Sequence, residues 1–262
     1  FLTLQNRKFL EIFNMRVISK IEIKNDYVVK GINLEGIRKI GDPEEIAIKY
    51  YDQGVDEIIF SDVVASLYQR NHLYDFIKKF SKNIFVPMTL GGGFNKKESI
   101  DLALNSGADK VFFNSAVLNN PKLIKEFSEI YGSQCIVISI EAKKNEDKYL
   151  CYYNSGRENS KKEVSEWIKE CESLGCGEFL ITSIDKDGTK SGLDLSLIET
   201  SLISASRPVI VSGGIGKIDH IVELVRNLKP SGICLSSSLH YNLLNIQKVK
   251  DILKEEKIDY VR

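Results

Sequence analysis

Eight short apolar runs alternate along this chain with segments whose apolar residues have helical spacing. The runs are rich in β-branched residues and fall at 17–23, 57–60, 84–90, 110–113, 135–140, 178–181, 208–211 and 232–235. The helical segments fall at about 43–53, 68–80, 96–106, 121–130, 161–174, 194–203, 217–228 and 245–256. Strands that alternate with helices predict a parallel sheet. Eight such units favour one α/β domain folded as a closed (β/α)8 barrel, or TIM barrel.

The two halves of the chain repeat one another. Leu90-Gly91-Gly92-Gly93 closes one apolar run, and about 121 residues later Ser212-Gly213-Gly214 closes another. Asn114-Ser115 in the first half corresponds to Ser236-Ser237 in the second half, at a similar offset. A half-sequence repeated at near-constant spacing predicts a barrel built from two duplicated half-barrels.

The doubled glycine and serine clusters predict two phosphate sites that face each other. Glycine lets backbone N–H groups approach an anion closely, and the helix that follows adds its positive end. The alternative is that these glycines only permit tight turns between strand and helix. The substrate would then carry a phosphate at each end, bound by Gly92, Gly93, Ser115, Gly188, Gly213, Gly214, Ser236 and Ser237.

Two glutamates stand at equivalent positions of the two halves. Glu22 ends the first predicted strand and Glu141 ends the fifth, and these strands lie opposite each other in an eight-stranded barrel. Barrel active sites lie at this end of the strands, so the pair suits a general acid and a general base. The alternative is two solvated glutamates. Further polar residues near this end are predicted to bind substrate: Lys30, Asp62, Asn114, Thr182, Asp187 and Ser212.

Four charged residues stand at the opposite ends of the predicted strands. They are Arg16, Glu57, Lys110 and Glu178. Two positive and two negative side chains at this level could form a salt-bridge ring across the barrel floor. From the spacing alone, a structural plug is the favoured interpretation.

Composition excludes several classes of function. Lys plus Arg and Asp plus Glu number 36 each, so no nucleic-acid or membrane partner is expected. No apolar run approaches the roughly 18 residues of a membrane span. The five cysteines form no CxxC pair and predict reduced thiols in a cytoplasmic protein, with no metal site. No cofactor is expected.

Two segments stand apart from the repeating pattern. Residues 1–14 are expected to be an extension of unknown origin before a single domain at 15–262, because Met15 stands directly before the first strand and could be the natural start. The segment 31–42 carries Gly31, Gly36 and Gly41. Its glycine content predicts a mobile loop that is able to cover a site.

The chain resembles the cyclase subunit of imidazole glycerol phosphate synthase from Met15 to Arg262. The matching phrases are Val28-Val29-Lys30-Gly31, Asp42-Pro43, Phe60-Ser61-Asp62-Val63-Val64-Ala65-Ser66, Leu90-Gly91-Gly92-Gly93, Gly107-Ala108-Asp109-Lys110-Val111, Thr182-Ser183-Ile184-Asp185-Lys186-Asp187-Gly188-Thr189-Lys190-Ser191-Gly192 and Ser212-Gly213-Gly214. The isomerase that precedes this enzyme in histidine synthesis shares the barrel and some phrases. The first and third phrases fit the cyclase better.

The resemblance implies a two-protein glutamine amidotransferase. A glutaminase subunit docked on the N-terminal face would send ammonia through the barrel. The cyclase would add this ammonia to a ribulosyl-formimino bisphosphate, giving imidazole glycerol phosphate and aminoimidazole carboxamide ribotide. The four floor charges would then be a gate to the channel, which replaces the plug interpretation, and Asp109 would contact the glutaminase.

The chain departs from the family at the catalytic pair. The family has aspartates at the positions of Glu22 and Glu141, and Ser19-Lys20-Ile21 replaces its usual Pro-Cys-Leu. Each extra methylene moves a carboxylate by on the order of 1 Å, and such a misplacement can cost about a hundredfold in rate.

Three interpretations stay open. The chain is a working cyclase, or it is a paralogue that passes ammonia to a third protein such as a surface-sugar amidotransferase, or it is a bisphosphate sugar isomerase or binding barrel. The complete set of four floor charges disfavours the third. The doubled substitution tilts the balance slightly to the second.

Overall fold

The computed structural model describes residues 14–64 and 73–260. The strands of this part of the chain are β1 (Asn14–Lys24), β2 (Tyr27–Ile32), β3 (Glu35–Gly41), β4 (Glu57–Asp62), β5 (Met88–Gly91), β6 (Lys110–Phe113), β7 (Ile136–Asn145), β8 (Lys148–Tyr153), β9 (Glu158–Glu163), β10 (Glu178–Ser183), β11 (Val209–Ser212), β12 (Gly232–Leu235) and β13 (Asp259–Tyr260). Residues 1–13, 65–72, 261 and 262 lie outside the described part. They include residues 1–13 of the predicted N-terminal extension and Ala65 and Ser66 of one matching phrase.

Eight parallel strands close into a barrel. Their order is β1, β4, β5, β6, β7, β10, β11, β12, and β12 pairs back with β1. Each parallel connection requires a crossover, and helices supply it. The predicted (β/α)8 barrel is therefore confirmed. β1 and β7 are four positions apart around the ring, so they lie on opposite sides.

Helices cover the outside of this barrel. They are α1 (Pro43–Asp52), α2 (Leu73–Phe80), α3 (Lys97–Asn105), α4 (Ser115–Asn119), α5 (Lys122–Tyr131), α6 (Val164–Ser173), α7 (Leu195–Ser204), α8 (Ile218–Asn227), α9 (Ser237–His240) and α10 (Ile246–Glu255). The start of the predicted helix at 68–80 falls outside the described residues. The strand predicted at 84–90 begins only at Met88, after Pro87, which has no N–H to donate to a ladder.

The first and fifth barrel strands both continue into antiparallel hairpins beyond the barrel. β1 pairs with β2 and β2 with β3, while β7 pairs with β8 and β8 with β9. The loop predicted at 31–42 is a β-hairpin, because β3 forms a ladder with β2. Its mobility stays a prediction, and Gly31, Leu34 and Ile37 line the cavity at the carboxyl ends of the barrel strands. Asn33 and Leu34 have φ of 54° and 63°, the left-handed backbone that a two-residue hairpin turn needs.

The barrel interior is filled in layers. Its middle layer is an apolar cluster separate from the core between sheet and helices: Ile18, Ile59, Phe112, Val137, Leu180, Ile210 and Cys234. β5 contributes Gly91, where an added Cβ would lie only 1.9 Å from the Phe112 ring. The ring therefore fills the space that a side chain on β5 would occupy. In the described ranges, no helix is long and apolar enough to cross a membrane.

Candidate active site

A cavity of about 680 Å³ opens at the carboxyl ends of the barrel strands, a volume typical of small-molecule sites. It brings together nine of the residues that the sequence predicted. They are Glu22, Lys30, Asp62, Gly92, Gly93, Asn114, Ser115, Glu141 and Asp187. The two halves of the chain therefore contribute to one site.

A second, much smaller cleft adjoins it. This cleft is lined by the predicted residues Asp187, Gly188, Ser212, Gly213, Gly214, Ser236 and Ser237, and it shares Asp187 with the large cavity. Thr182 lines neither space. It is buried between Glu141 and Ser212 on the neighbouring strands, and its hydroxyl has no hydrogen-bond partner.

Glu22 is held by two lysines. Lys30 Nζ lies 2.7 Å from Glu22 Oε2, and Lys20 Nζ lies 3.3 Å from Glu22 Oε1. Lys30 also lies 2.9 Å from Asp187 Oδ2. Burial alone raises the pKa of Glu22, but the charges of Lys30 and Lys20 outweigh burial and hold the pKa at about 2. Glu22 is therefore a carboxylate throughout the physiological pH range.

Glu141 has the opposite character. Its Oε2 is enclosed and has no hydrogen-bond partner. Burial raises the pKa of Glu141 to about 7, although Lys20 and the backbone N–H of Gly156 act against burial. Near neutral pH this carboxyl can hold or release a proton. Opposed carboxyls whose environments drive their pKa values apart are the usual mark of separate acid and base roles.

Both glycine loops require glycine because of their backbone conformation and close packing. Gly92 has φ of 117° and Gly213 has φ of 98°. A Cβ at Gly92 would lie 2.5 Å from the carbonyl oxygen of Asp62, and one at Gly213 would lie 2.9 Å from that of Ser183. Only glycine fits at either position.

Unpartnered polar atoms stand beside both loops. Asn114 Oδ1 and Ser237 Oγ are buried and make no hydrogen bond. Asn114 lines the large cavity, and Ser237 lines the small cleft. A bound polar group could satisfy these atoms, whereas an apolar ligand would leave the cost of their burial in place.

The four floor charges form a closed ring. Arg16 Nη1 lies 2.7 Å from Glu57 Oε2, and Arg16 also pairs with Glu178. Lys110 Nζ completes the ring at 3.0 Å from Glu57 and 2.9 Å from Glu178. The ring occupies the N-terminal ends of β1, β4, β6 and β10, with the apolar middle layer between it and the cavity. Asp109 lies beside it, exposed, and accepts the N–H of Met88 at 2.8 Å.

Several lining residues were missed by sequence reasoning. Lys20 is 7% exposed and lines the large cavity. The turn between β8 and β9 adds Asn154, Ser155 and Arg157, and the N–H of Asn154 donates to Ser115 Oγ at 3.0 Å. Lys20 could have been found because it lies two residues before Glu22 on the same strand face. The turn carries no comparable signal.

The described residues contain no group of histidines, cysteines and carboxylates that could hold a metal ion. All five cysteines are free thiols, four of them buried. The side chains of this site offer proton transfer and charge stabilisation.

Fold and cavity together define the class: a (β/α)8 barrel with a charged, ligand-sized pocket at the carboxyl ends of its strands. Residues 16–245 match the family model described as histidine biosynthesis protein. The chain belongs to this family.

Within this family, the chain is similar to imidazole glycerol phosphate synthase subunits HisF. The subunit of Bacillus cereus is 43% identical over 93% of this chain and 97% of its own length. That of a Hydrogenobaculum species is 44% identical over 93% and 97%, and that of Lactococcus lactis is 42% identical over 93% and 95%. The likeness supports the resemblance to the cyclase subunit.

Proposed function

We propose that this chain is the cyclase-type subunit of a glutamine amidotransferase of the imidazole glycerol phosphate synthase kind. The observation that carries the proposal is the contrast between Glu22 and Glu141. One is an anion fixed by Lys20 and Lys30, while the other has a pKa of about 7. A carboxyl that exchanges protons opposite a fixed carboxylate can work with glutamates in place of aspartates.

Substrate binding follows from the two loops. One phosphate of the bisphosphate substrate would bind the backbone N–H groups of Gly92 and Gly93 with Ser115. The other would bind at Gly213 and Gly214, with the serines at 236 and 237. Fixing both ends holds the middle of the substrate between the two carboxyls. Such positioning converts remote binding energy into orientation at the reacting atoms.

Proton transfer falls on Glu141 in this arrangement. Ammonia adds to the ketone carbon of the substrate, and a C=N bond then replaces the C=O bond as the oxygen leaves as water. The nitrogen loses the protons that the oxygen gains. Glu141, which carries a proton near neutral pH, donates to the oxygen, and the carboxylate left behind takes a proton back from the nitrogen. Glu22 stays negative and stabilises the positive charge that develops on the nitrogen. Asn114 supplies an unpartnered polar atom in the same cavity.

Ammonia would reach the pocket through the barrel interior. The closed floor ring would act as the gate, and it is accessible from the N-terminal face at Arg16 and Lys110, whose side chains are each 18% exposed. Above it, the apolar middle layer favours neutral ammonia over ammonium. A glutaminase partner would dock on this face, where Asp109 is exposed. The relatives from Bacillus cereus and Hydrogenobaculum are subunits of a synthase, which supports a partner.

A second candidate is a paralogue that keeps the ammonia route and supplies another acceptor, such as a surface-sugar amidotransferase. It is favoured by three changes at one place, the two glutamates and Lys20. A pure isomerase or binding barrel has no use for the floor ring, so the closed ring argues against that alternative.

The discriminating experiment is ammonium-dependent turnover of the bisphosphate by the purified barrel at alkaline pH. No glutaminase is needed in this format. The cyclase proposal predicts both products in the native chain. Absence of turnover in the native chain, with recovery in a Glu22→Asp, Glu141→Asp double variant, would favour the paralogue. Glu129→Gln, on the exposed face of α5, is the matched control.

A further inference from the structure

Lys20 is a buried lysine that the proposed chemistry does not yet use. It belongs to the inward-facing row of β1, in which Arg16 joins the floor ring and Ile18 joins the middle layer. Lys20 is the next member, directly below Glu22 on this face. Burying a lysine is costly unless the charge is paired. Its partner identifies its role.

The partner is the free oxygen of Glu22. Lys20 Nζ lies 3.3 Å from Oε1, while Lys30 occupies Oε2 at 2.7 Å. Lys30 is itself anchored by Asp187 at 2.9 Å. Both oxygens of Glu22 therefore face an ammonium group, and two lysines balance two carboxylates. A carboxylate held in this way neither accepts a proton readily nor rotates.

Glu141 lacks this restraint. Its Oε2 has no hydrogen-bond partner, and the charged groups that act on it are Lys20, Asp187 and Glu22, together with the backbone N–H of Gly156. Those that act on Glu22 are Lys30, Lys20 and, from α9, His240. Lys20 thus acts on both carboxyls, pairing with Glu22 and opposing the effect of burial on Glu141.

We propose that Lys20 is a positioning residue that, together with Lys30, locks Glu22 as an anion and leaves Glu141 as the carboxyl that exchanges protons in this site. The inference deepens the proposed function by dividing the roles within the pair. It rests on that function only for the identity of the reaction. The lock itself is a property of the free protein.

Carbon-13 NMR of carboxyl-labelled glutamate tests directly whether Glu22 stays ionised while Glu141 titrates. Glu22→Gln and Glu141→Gln assign the two signals. In the native chain Glu141 should titrate near pH 7, and Glu22 should stay ionised down to at least pH 4. Removing an opposite charge at this distance raises a carboxyl pKa by about 1–3 units. In Lys20→Met, both midpoints should therefore rise, with Glu22 moving more.

The controls separate position from charge. Lys20→Arg should keep both midpoints near their native values, and Lys125→Met, which removes the same charge from exposed α5, should leave them unchanged. If Lys20→Met does not fold, the carboxyl titrations of the native chain and of Lys20→Gln still test whether Lys20 holds Glu22 as an anion. Glu22 titrating together with Glu141 in the native chain, or midpoints that ignore Lys20, would overturn the proposal.

A kinetic arm distinguishes this inference from the proposed function. In ammonium-dependent turnover, Lys20→Met should move the pH profile to higher pH and lower kcat more than it raises KM, with Lys20→Arg rescuing the profile. A structural role alone would lower activity at every pH equally. If the native chain has no turnover, the cyclase proposal fails, while the NMR titration still accepts or rejects the lock.

Discussion

Replacing Glu141 by glutamine should stabilise the protein, but only at pH values at which the unfolded chain ionises this carboxyl. Burial raises the pKa of Glu141 from 4.5 to about 7, so the folded state resists ionisation that the unfolded state allows. The buried carboxyl lowers the free energy of unfolding very little below pH 4.5, and this loss of stability grows as pH rises toward 7. At about 1.36 kcal/mol per pKa unit, the cost reaches about 3 kcal/mol at pH 8 and stays near 1 kcal/mol at pH 5.

Glu141→Gln keeps the shape of the side chain and removes the charge. The free energy of unfolding, measured with urea at pH 5 and pH 8, should rise by up to about 3 kcal/mol at pH 8 and much less at pH 5. The partial exposure of Glu141 makes the figure an upper value. For a chain of this size the gain corresponds to roughly 6–12 °C in Tm.

The matched control is Glu129→Gln, whose side chain is 66% exposed and whose effect should stay within about 0.5 kcal/mol at both pH values. Catalysis should be lost in Glu141→Gln although the free energy of unfolding increases, which is the usual trade between activity and stability. A variant that is destabilised at pH 8, or whose effect is the same at both pH values, would refute the reasoning.

Three further predictions concern the other parts of the site. The pKa of Glu22, about 2, lies below the ordinary 4.5, so Glu22 contributes stability above pH 4.5 that is lost as pH falls toward 2. Glu22→Gln should therefore lower the free energy of unfolding in urea by about 3–5 kcal/mol at pH 7. A cost under 1 kcal/mol would contradict the two-lysine geometry. Gly92→Ala should abolish binding of the bisphosphate in calorimetry, because the added Cβ would lie 2.5 Å from a carbonyl oxygen. The control Gly54→Ala, at φ of 82° with open space around it, should lower the free energy of unfolding by only about 1 kcal/mol and keep binding. Equal effects of the two variants would mean that the positive φ, and not the close contact, is responsible. Arg16→Met should leave the floor glutamates underpaired and lower the midpoint of urea unfolding, with Arg16→Lys intermediate; an unchanged midpoint would mean that the ring adds no stability.

The alternation of strands and helices was predictable because burial imposes a period of two on strands and of about 3.6 on helices. Duplication added the opposition of Glu22 and Glu141, since equivalent positions in two half-barrels are four strands apart. The floor ring followed from strand starts, and the structure shows its members paired. Its function as a gate remains a proposal.

The hairpin after the first strand and the charges at the pocket were harder to predict from the sequence. The pairing of β3 with β2 is a backbone ladder on an exposed, glycine-containing segment, so neither apolar periodicity nor composition marks it. The contrast between the two glutamates depends on where Lys20 and Lys30 point and on the N–H of Gly156, which comes from a distant turn. Sequence gives the residue types at the strand ends, and the three-dimensional arrangement decides which carboxyl is charged.

The most direct test of the account is the pH dependence of kcat for ammonium-dependent turnover of the bisphosphate, at constant free ammonia. If Glu141 is the proton donor and Glu22 a fixed anion, kcat should fall as pH rises through an apparent pKa at or above about 7, and Glu141→Gln should abolish turnover. A native chain with turnover but no such inflection, or with full activity in Glu141→Gln, would contradict the assignment. A native chain without turnover at any pH would contradict the cyclase function itself.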